Sequence, residues 1–186
     1  SLKHYPPTPP DVDTLILDID SAETAMQVKI VLLAMYPKSH NVWKVEPFDT
    51  AQGKSGKKKE ERLIDFPESD TSYPISLFIP SRGEGTSFES FAEIVAHLRA
   101  PDGCPWDKEQ THQTLRKHLL EESYETLSAM DANDIDGMRE EFGDLLLQIF
   151  LNSYIAYQDD EFTLTEVTKH VYDKIYRRHP HVFGDV

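Results

Sequence analysis

The sequence has little cysteine, little basic charge and no long apolar run. Cys104 is the only cysteine among 186 residues, so no intrachain disulfide can form and nothing indicates an oxidising compartment. No stretch approaches the roughly 20 apolar residues of a membrane-spanning helix, and the first ten residues lack the apolar core of a signal peptide. We therefore expect a soluble, cytoplasmic protein that does not associate with membranes.

Basic side chains are outnumbered by acidic ones. The chain contains 19 Lys and Arg against 33 Asp and Glu, which gives a formal net charge of −14. A protein that holds a nucleic-acid backbone needs a basic face to neutralise phosphates, so we expect no nucleic-acid polymer as a partner. With 39% hydrophobic and 10% aromatic residues, the composition is typical of a folded globular protein.

The first 82 residues have the pattern of a smaller α+β segment. Short apolar runs between turn signals predict strands at 14–19, 42–46, 62–66 and 75–79. Ser21 is a candidate N-cap for a helix that ends before Pro37. Residues 52–61 are rich in glycine and lysine and are predicted to form a loop.

Residues 83–186 are predicted to form a second domain, an all-α helical bundle. Apolar residues recur at helical spacing, and caps and prolines delimit helices at 88–98, from Asp107 or Thr111 to about 131, at 135–157 and at 163–178. In the helix that ends near residue 131, the apolar residues expected to form the buried stripe are Leu115, Leu119, Leu120, Tyr124 and Leu127.

Two of these helices carry acidic side chains at the same spacing. Glu122 and Glu125 are three residues apart, as are Glu141 and Asp144, so each pair projects from one helix face. The first pair alone is well explained by a solvated acidic face, because Glu is a common helix former. Asp144, however, leads into a nearly continuous apolar run at 145–151, and a carboxylate entering a buried segment must be paired, protonated or bound to metal.

If the two helices face each other, their four carboxylates meet. Oxygen-only ligand sets suit hard divalent cations, of which Mg²⁺ is the commonest choice, with Mn²⁺ as a substitute. Zinc is disfavoured because the set contains neither histidine nor cysteine. A di-iron centre is disfavoured because it requires Glu-x-x-His on two helices, and Glu125 and Asp144 occupy the positions where those histidines would stand.

A basic cluster lies on one side of the last predicted helix, at Lys174, Arg177 and Arg178. It either forms salt bridges with the acidic helices or binds phosphate, for which arginine offers a forked contact and lysine a point charge. Carboxylates that hold magnesium beside such cations are suited to phosphoryl chemistry, in which both neutralise phosphate oxygens while water attacks.

Five motifs, in order, resemble the MazG family of nucleoside triphosphate pyrophosphohydrolases: Cys104-Pro-Trp-Asp107, Gln110-Thr-His112, Leu119-Leu-Glu-Glu-Ser-Tyr-Glu125, Glu141-Phe-Gly-Asp-Leu-Leu-Leu-Gln148 and Lys174 to Gly184. The resemblance covers the chain from about residue 88 onward. It implies hydrolysis of nucleoside triphosphates to monophosphate and pyrophosphate, an all-α fold, and a homodimer or larger homo-oligomer with sites near the subunit interface. One departure is Phe142, where the family usually has leucine.

The resemblance also assigns roles to residues. The family's E-x-x-E and E-x-x-D patterns bind Mg²⁺, which implies the metal ligands Glu122, Glu125, Glu141 and Asp144. Glu122 or Glu125 is the expected acceptor of a proton from the attacking water. The basic positions associated with the triphosphate correspond to Lys174 and Arg178, with Arg177 beside them. Trp106 is expected either to stack on the nucleobase or to serve as a structural plug.

Residues 12–82 are similar to the C-terminal part of the tetrapyrrole methylase domain found upstream of some MazG domains. The similarity lies in Thr14 to Ser21, Val28 to Leu33, Tyr36-Pro37 and Ser76 to Pro80. The methyl-donor half is not in this sequence, so we predict no methyl transfer.

Two other functions stay open from the sequence. One is a related all-α pyrophosphatase that resembles dUTPase or phosphoribosyl-ATP pyrophosphatase. The other is a non-catalytic helical module for oligomerisation or regulation, in which the acidic site serves stability alone.

Overall fold

The computed structural model describes residues 6–45, 58–67 and 71–184. Contacts divide the chain into two compact units, Ser1–Phe91 and Ala92–Val186. The sequence-based boundary between residues 82 and 83 stays a prediction.

The first unit is built on a four-stranded antiparallel sheet. Its strands are β1 (Thr14–Ile19), β2 (Asn41–Val45), β3 (Lys58–Arg62) and β4 (Ile75–Ile79), and they lie in the order β1-β4-β2-β3. Helix α1 (Ala22–Leu32) follows β1. Ser21 caps this helix as predicted, because its hydroxyl oxygen accepts a hydrogen bond from the Thr24 backbone N–H at 3.2 Å.

The core of the first unit lies between one face of the sheet and α1. Ile75, Leu77 and Ile79 alternate along β4 and are at most 2% exposed, because successive strand side chains point to opposite faces. Ala25 and Leu32 of α1 belong to the same buried cluster. The helix therefore covers the apolar face of the sheet.

The predicted strand at 62–66 was wrong. The actual strand, β3, is Lys58–Arg62, which falls mostly within the predicted loop, and residues 63–65 form a turn. β3 consists entirely of charged residues and lacks the β-branched residues that signal a strand; it forms because its backbone pairs with β2, with Glu61 opposite Val42. Residues 46 and 52–57, also covered by strand and loop predictions, lie outside the described residues.

The second unit is helical, which confirms an α+β segment followed by an all-α region. Its elements, starting with a helix that crosses the unit boundary, are α2 (Phe88–Leu98), α3 (Pro105–Glu109), α4 (His112–Ala132), α5 (Ile135–Gln158), α6 (Leu164–Arg178) and α7 (Pro180–Phe183). Within the described ranges, no helix combines the length and apolarity needed to cross a bilayer.

A two-residue connection makes α4 and α5 an antiparallel hairpin. Asn133 ends α4 in the left-handed conformation at φ 53°, a conformation that asparagine tolerates better than most residues. Asp134 then caps α5, with its side-chain oxygen accepting from the Gly137 backbone N–H at 3.1 Å. These two residues fix the register in which the acidic pairs of the two helices meet.

The start of α4 differs in part from the prediction. Thr111 is its N-cap, with a reciprocal capping box to Thr114. Asp107 is no cap, because it lies within the separate short helix α3. The helix α7 was not predicted.

The predicted buried stripe of α4 was wrong. Leu115 is buried, whereas the other four members are exposed: Leu119, Leu120, Tyr124 and Leu127. The buried face of α4 is instead formed by Leu115, Thr126 and Ala129. Small side chains at Thr126 and Ala129 allow α5 to approach closely, and the leucine-rich face is left uncovered in the single chain.

The core assignment is tested by a pair of leucine substitutions in neighbouring strands. Leu77→Ala removes a side chain that is 0% exposed and should lower the free energy of unfolding by about 2–5 kcal/mol. Leu17→Ala, at a position that is 62% exposed, should change it by no more than about 0.5 kcal/mol. Urea unfolding followed by Trp43 emission in a Trp106→Phe background measures both. Equal effects of the two changes would contradict the assignment.

Candidate metal centre

Three carboxylates from α4 and α5 converge. Glu122 and Glu125 of α4 and Glu141 of α5 each offer one oxygen, and these three oxygens lie within 4.8 Å of one another. The three-residue spacing places the α4 pair on one face, and the hairpin brings the first part of α5 alongside it. In the described part of the chain, this is the one group of three or more potential metal-ligating side chains in such proximity.

The surroundings of Glu122 and Glu141 disfavour the charged form of their carboxyl groups. Burial raises the pKa of Glu122, and the charges of Asp144 and Glu125 raise it further. The pKa of Glu141 is raised by burial and by Glu125, Asp144 and Glu122. Both shifts have the direction expected when carboxylates share a partly desolvated site.

The burial of one Glu141 carboxylate oxygen is a second unfavourable feature of the cluster. Glu141 Oε2 is shielded from solvent, and no hydrogen-bond partner is found for it among the described residues. Buried polar atoms are nearly always hydrogen-bonded, so an exception calls for a missing partner. A cation is the partner that would also relieve the mutual repulsion of the carboxylates.

Asp144 stands beside this group and not within it. It is half-buried on α5, and its charge acts on both Glu122 and Glu141. The structure thus brings three of the four predicted ligands within mutual reach and places the fourth close enough to influence two of them. An oxygen-only donor set of this kind suits a hard divalent cation.

Trp106 contacts His118, which lies on the same helix as Glu122 and Glu125. Its side chain on α3 is 52% exposed, and its ring meets the His118 ring edge-on, with centroids 5.8 Å apart and an interplanar angle of 71°. His118 lies one helical turn before Glu122. The His118 charge opposes the rise in the Glu122 pKa that burial and the neighbouring carboxylates cause.

The basic cluster is not joined to the carboxylates within the chain. Lys174 is half-buried, and Arg177 and Arg178 are exposed on α6. Across the described ranges, no hydrogen bond or ion pair connects these three residues with the acidic site, and the ion pair on α6 joins Lys169 and Asp173 at 2.6 Å. Internal salt bridging therefore does not account for the cluster.

Sequence reasoning missed the residues that hold α3 in place. The Arg99 guanidinium donates to the backbone carbonyls of Asp107 and of Gln110, the latter at 3.1 Å, and to Gln158 Oε1 at 2.7 Å. Gln110 Nε2 donates to the Trp106 carbonyl at 3.0 Å. Gln110 belongs to a recognised motif, but the contact of Arg99 with the end of α5 has no signature in the sequence.

A polar line continues from the site along α5. Gln148 and Asn152 follow Asp144 at one and two turns, and Gln148 is only 6% exposed. Asn152 Oδ1 lies 2.8 Å from His112 Nδ1. This contact joins the start of α4 to the later part of α5 and helps to hold the hairpin that forms the site.

Comparison with known proteins identifies a domain in the helical unit. Residues 110–183 match the sequence model of the MazG nucleotide pyrophosphohydrolase domain. This stretch contains all three clustered carboxylates, Asp144 and the basic cluster. Trp106 lies just before it.

Individual relatives show how far the similarity extends. The "Uncharacterized protein YabN" of Bacillus subtilis is 39% identical over 180 residues, which cover 92% of this chain and 36% of that protein. The "Nucleoside triphosphate pyrophosphohydrolase/pyrophosphatase MazG" of Thermotoga maritima is 46% identical over 101 residues, 54% of this chain and 40% of that protein. The "Nucleoside triphosphate pyrophosphohydrolase" of Escherichia coli K12 is 45% identical over 93 residues, 50% of this chain and 35% of that protein.

The chain thus spans 35% to 40% of the length of these curated relatives. The similarity to YabN extends over both units, since its 180 aligned residues exceed the length of the helical unit. The relation of residues 12–82 to tetrapyrrole methylases stays a prediction.

The raised pKa values predict that the metal-free site destabilises the fold. In the window that begins near the ordinary glutamate value of 4.5, the folded state binds more protons than the unfolded state, so the free energy of unfolding falls as pH rises through it. Glu141→Gln should therefore raise the melting temperature of metal-free protein near neutral pH, and high salt should shrink the gain. Asp131→Asn, an exposed change on α4, is the control. A lower melting temperature for Glu141→Gln without metal would contradict this account.

Proposed function

We propose that the chain hydrolyses nucleoside triphosphates to nucleoside monophosphate and pyrophosphate in a Mg²⁺-dependent reaction. The observation that carries the proposal is the convergence of Glu122, Glu125 and Glu141, with Asp144 beside them, in the region that matches the MazG domain. In the described part of the chain no lysine or arginine pairs with these mutually repelling carboxylates, which are therefore suited to a cation that a triphosphate also binds.

The four carboxylates are the proposed metal ligands, with Mn²⁺ as a substitute for Mg²⁺. When bound, the ion neutralises phosphate oxygens and lowers the pKa of a water molecule. Glu122 and Glu125 are the proposed proton acceptors, since both carboxylates belong to the cluster on α4 and α5 and could accept a proton from a water molecule held there. In the proposed step the water oxygen bonds to a phosphorus of the α–β anhydride, the bridging P–O bond breaks, and the monophosphate and pyrophosphate separate while the proton of the water passes to a carboxylate oxygen.

A second copy of the chain is the proposed partner that completes the site. Apolar side chains stand exposed on three helices of the second unit: Leu119, Leu120, Tyr124 and Leu127 on α4, Ile149 on α5, and Val167, Val171 and Ile175 on α6. An apolar surface spread over three helices is typical of an interface. If a homodimer buried these faces against each other, the apolar residues of α4 that are exposed in the single chain would be covered.

Phosphate binding is assigned to Lys174, Arg177 and Arg178. These cations have no partner in the acidic site of their own chain, and they share α6 with Val171 and Ile175, part of the exposed apolar face. Docking of that face would carry the cations toward the carboxylates of the second copy. Trp106, half-exposed beside His118, is the proposed stacking surface for the nucleobase.

Loss of a ligand should abolish pyrophosphate release. Glu125→Ala and Asp144→Ala each remove one carboxylate, and we expect turnover of a nucleotide panel with Mg²⁺ to fall by at least about 100-fold, since oriented metal charge supplies several kcal/mol of transition-state stabilisation. Asp131→Ala should retain full turnover.

The same panel separates the proposed reaction from its rivals. Strict preference for dUTP or for phosphoribosyl-ATP would indicate one of the related pyrophosphatases. Magnesium-dependent melting without turnover of any nucleotide would indicate a non-catalytic module, and normal turnover by both ligand variants would refute the site.

The dimer is tested by placing a charge in the apolar face of α4. Leu127→Glu, at a position 54% exposed in the single chain, should produce monomers in light scattering and reduce pyrophosphate release, because the basic residues of the second copy no longer reach the carboxylates. Ser128→Glu adds the same charge at the adjacent exposed position and should leave assembly intact. Dissociation without loss of turnover would mean that each chain carries a complete site.

A further inference from the structure

Trp106 is a large aromatic side chain that is exposed and yet firmly held. Its backbone carbonyl accepts from Gln110 Nε2 at 3.0 Å, and Gln110 in turn accepts from Thr114 Oγ1 of α4 at 2.7 Å. Arg99 anchors the same short helix through two carbonyls. Half of the Trp106 surface nevertheless faces solvent, so this support does not serve to bury the ring.

The His118 ring packs against the Trp106 ring. The two rings meet at 71° with centroids 5.8 Å apart, the edge-to-face arrangement favoured by aromatic quadrupoles. His118 Nδ1 lies 3.5 Å from Glu121 Oε2, and Glu121 also pairs with Lys117 at 3.2 Å. The side chain thus links Trp106 to the helix that carries Glu122 and Glu125.

We propose that His118 is a positioning residue that holds Trp106 in place to stack on the nucleobase of a nucleotide whose phosphates lie at the carboxylates. This inference rests on the proposed function. His118 acts through the ring it packs against, and its contribution is to substrate binding and not to the chemical step.

The position of His118 on α4 explains why this residue suits the role. It lies one turn from Glu122, so the ring it contacts and two of the clustered carboxylates are positioned by the same helix. Stacking of one base on an aromatic ring contributes about 5- to 150-fold in affinity. If the Trp106 ring is held less well, the affinity for substrates with a base should fall by part of this factor. The affinity for a substrate without a base should not change.

Steady-state kinetics of two variants test the proposal. His118→Ala should raise KM for nucleoside triphosphates about five- to tenfold with kcat changed less than twofold, and should leave KM for inorganic triphosphate unchanged. His118→Phe keeps a ring at the position and should restore KM to within about twofold of the wild type. The charge of His118 is absent from both variants, so rescue by phenylalanine separates ring packing from an electrostatic effect on Glu122.

Fluorescence supplies a readout that does not depend on turnover. Trp43 and Trp106 are the only tryptophans, so in a Trp43→Phe background the emission reports Trp106 alone. Titration with ATP and Mg²⁺ should quench it, and His118→Ala should weaken the quench while His118→Phe preserves it. Trp43→Phe, in the first unit, should leave turnover unchanged.

Three results would overturn the inference: an unchanged KM and quench in His118→Ala, an equal rise in KM for inorganic triphosphate, or failure of His118→Phe to restore KM. If the wild type releases no pyrophosphate but ATP still quenches Trp106 in a His118-dependent manner, the proposed reaction fails and the positioning role stands. If turnover proceeds and Trp106 emission does not respond to any nucleotide, the positioning role fails and the proposed reaction stands.

Discussion

The helical unit depends on packing that holds like charges together. The α4–α5 hairpin forces Glu122, Glu125 and Glu141 within 4.8 Å, although burial and mutual repulsion raise the pKa of two of them. Burial of Leu115, Leu151 and Ile155 in the same unit opposes this cost, since each buried aliphatic side chain contributes about 1.5–3 kcal/mol. Carboxylates whose pKa values are raised by burial and by one another are typical of functional sites.

The local parts of this arrangement could be predicted from the sequence. Thr111, one of the two candidate N-caps, caps α4, and α6 begins next to Thr163 as the pattern predicted, and the spacing of the acidic pairs places them on helix faces. The sequence alone does not indicate which apolar face of α4 packs against its own chain. A leucine that packs against α5 and a leucine that stays exposed in the single chain can have the same periodicity, so Leu119 and Leu120 were wrongly assigned to the buried stripe.

Long-range pairing accounts for the other differences. β3 contains only charged residues and becomes a strand because β2 offers it a backbone partner. In the same way, Arg99 fixes α3 through carbonyls eight and eleven residues away and through Gln158 at the end of α5. The contact of His118 with Trp106 also arises only in three dimensions, since it joins α4 to the short helix α3, which was not predicted as a separate helix.

A single chain brings the clustered carboxylates together, but among the described residues it does not join the basic residues of α6 to them. The carboxylates come from one hairpin with a two-residue turn, so they assemble as soon as that hairpin folds. The basic residues lie on α6, which has no buried residue of its own and whose Val171 and Ile175 are exposed. Under the proposed function, a monomer would bind the metal ion but would bind the triphosphate weakly. Hydrolysis would then depend on assembly, which couples activity to protein concentration by mass action.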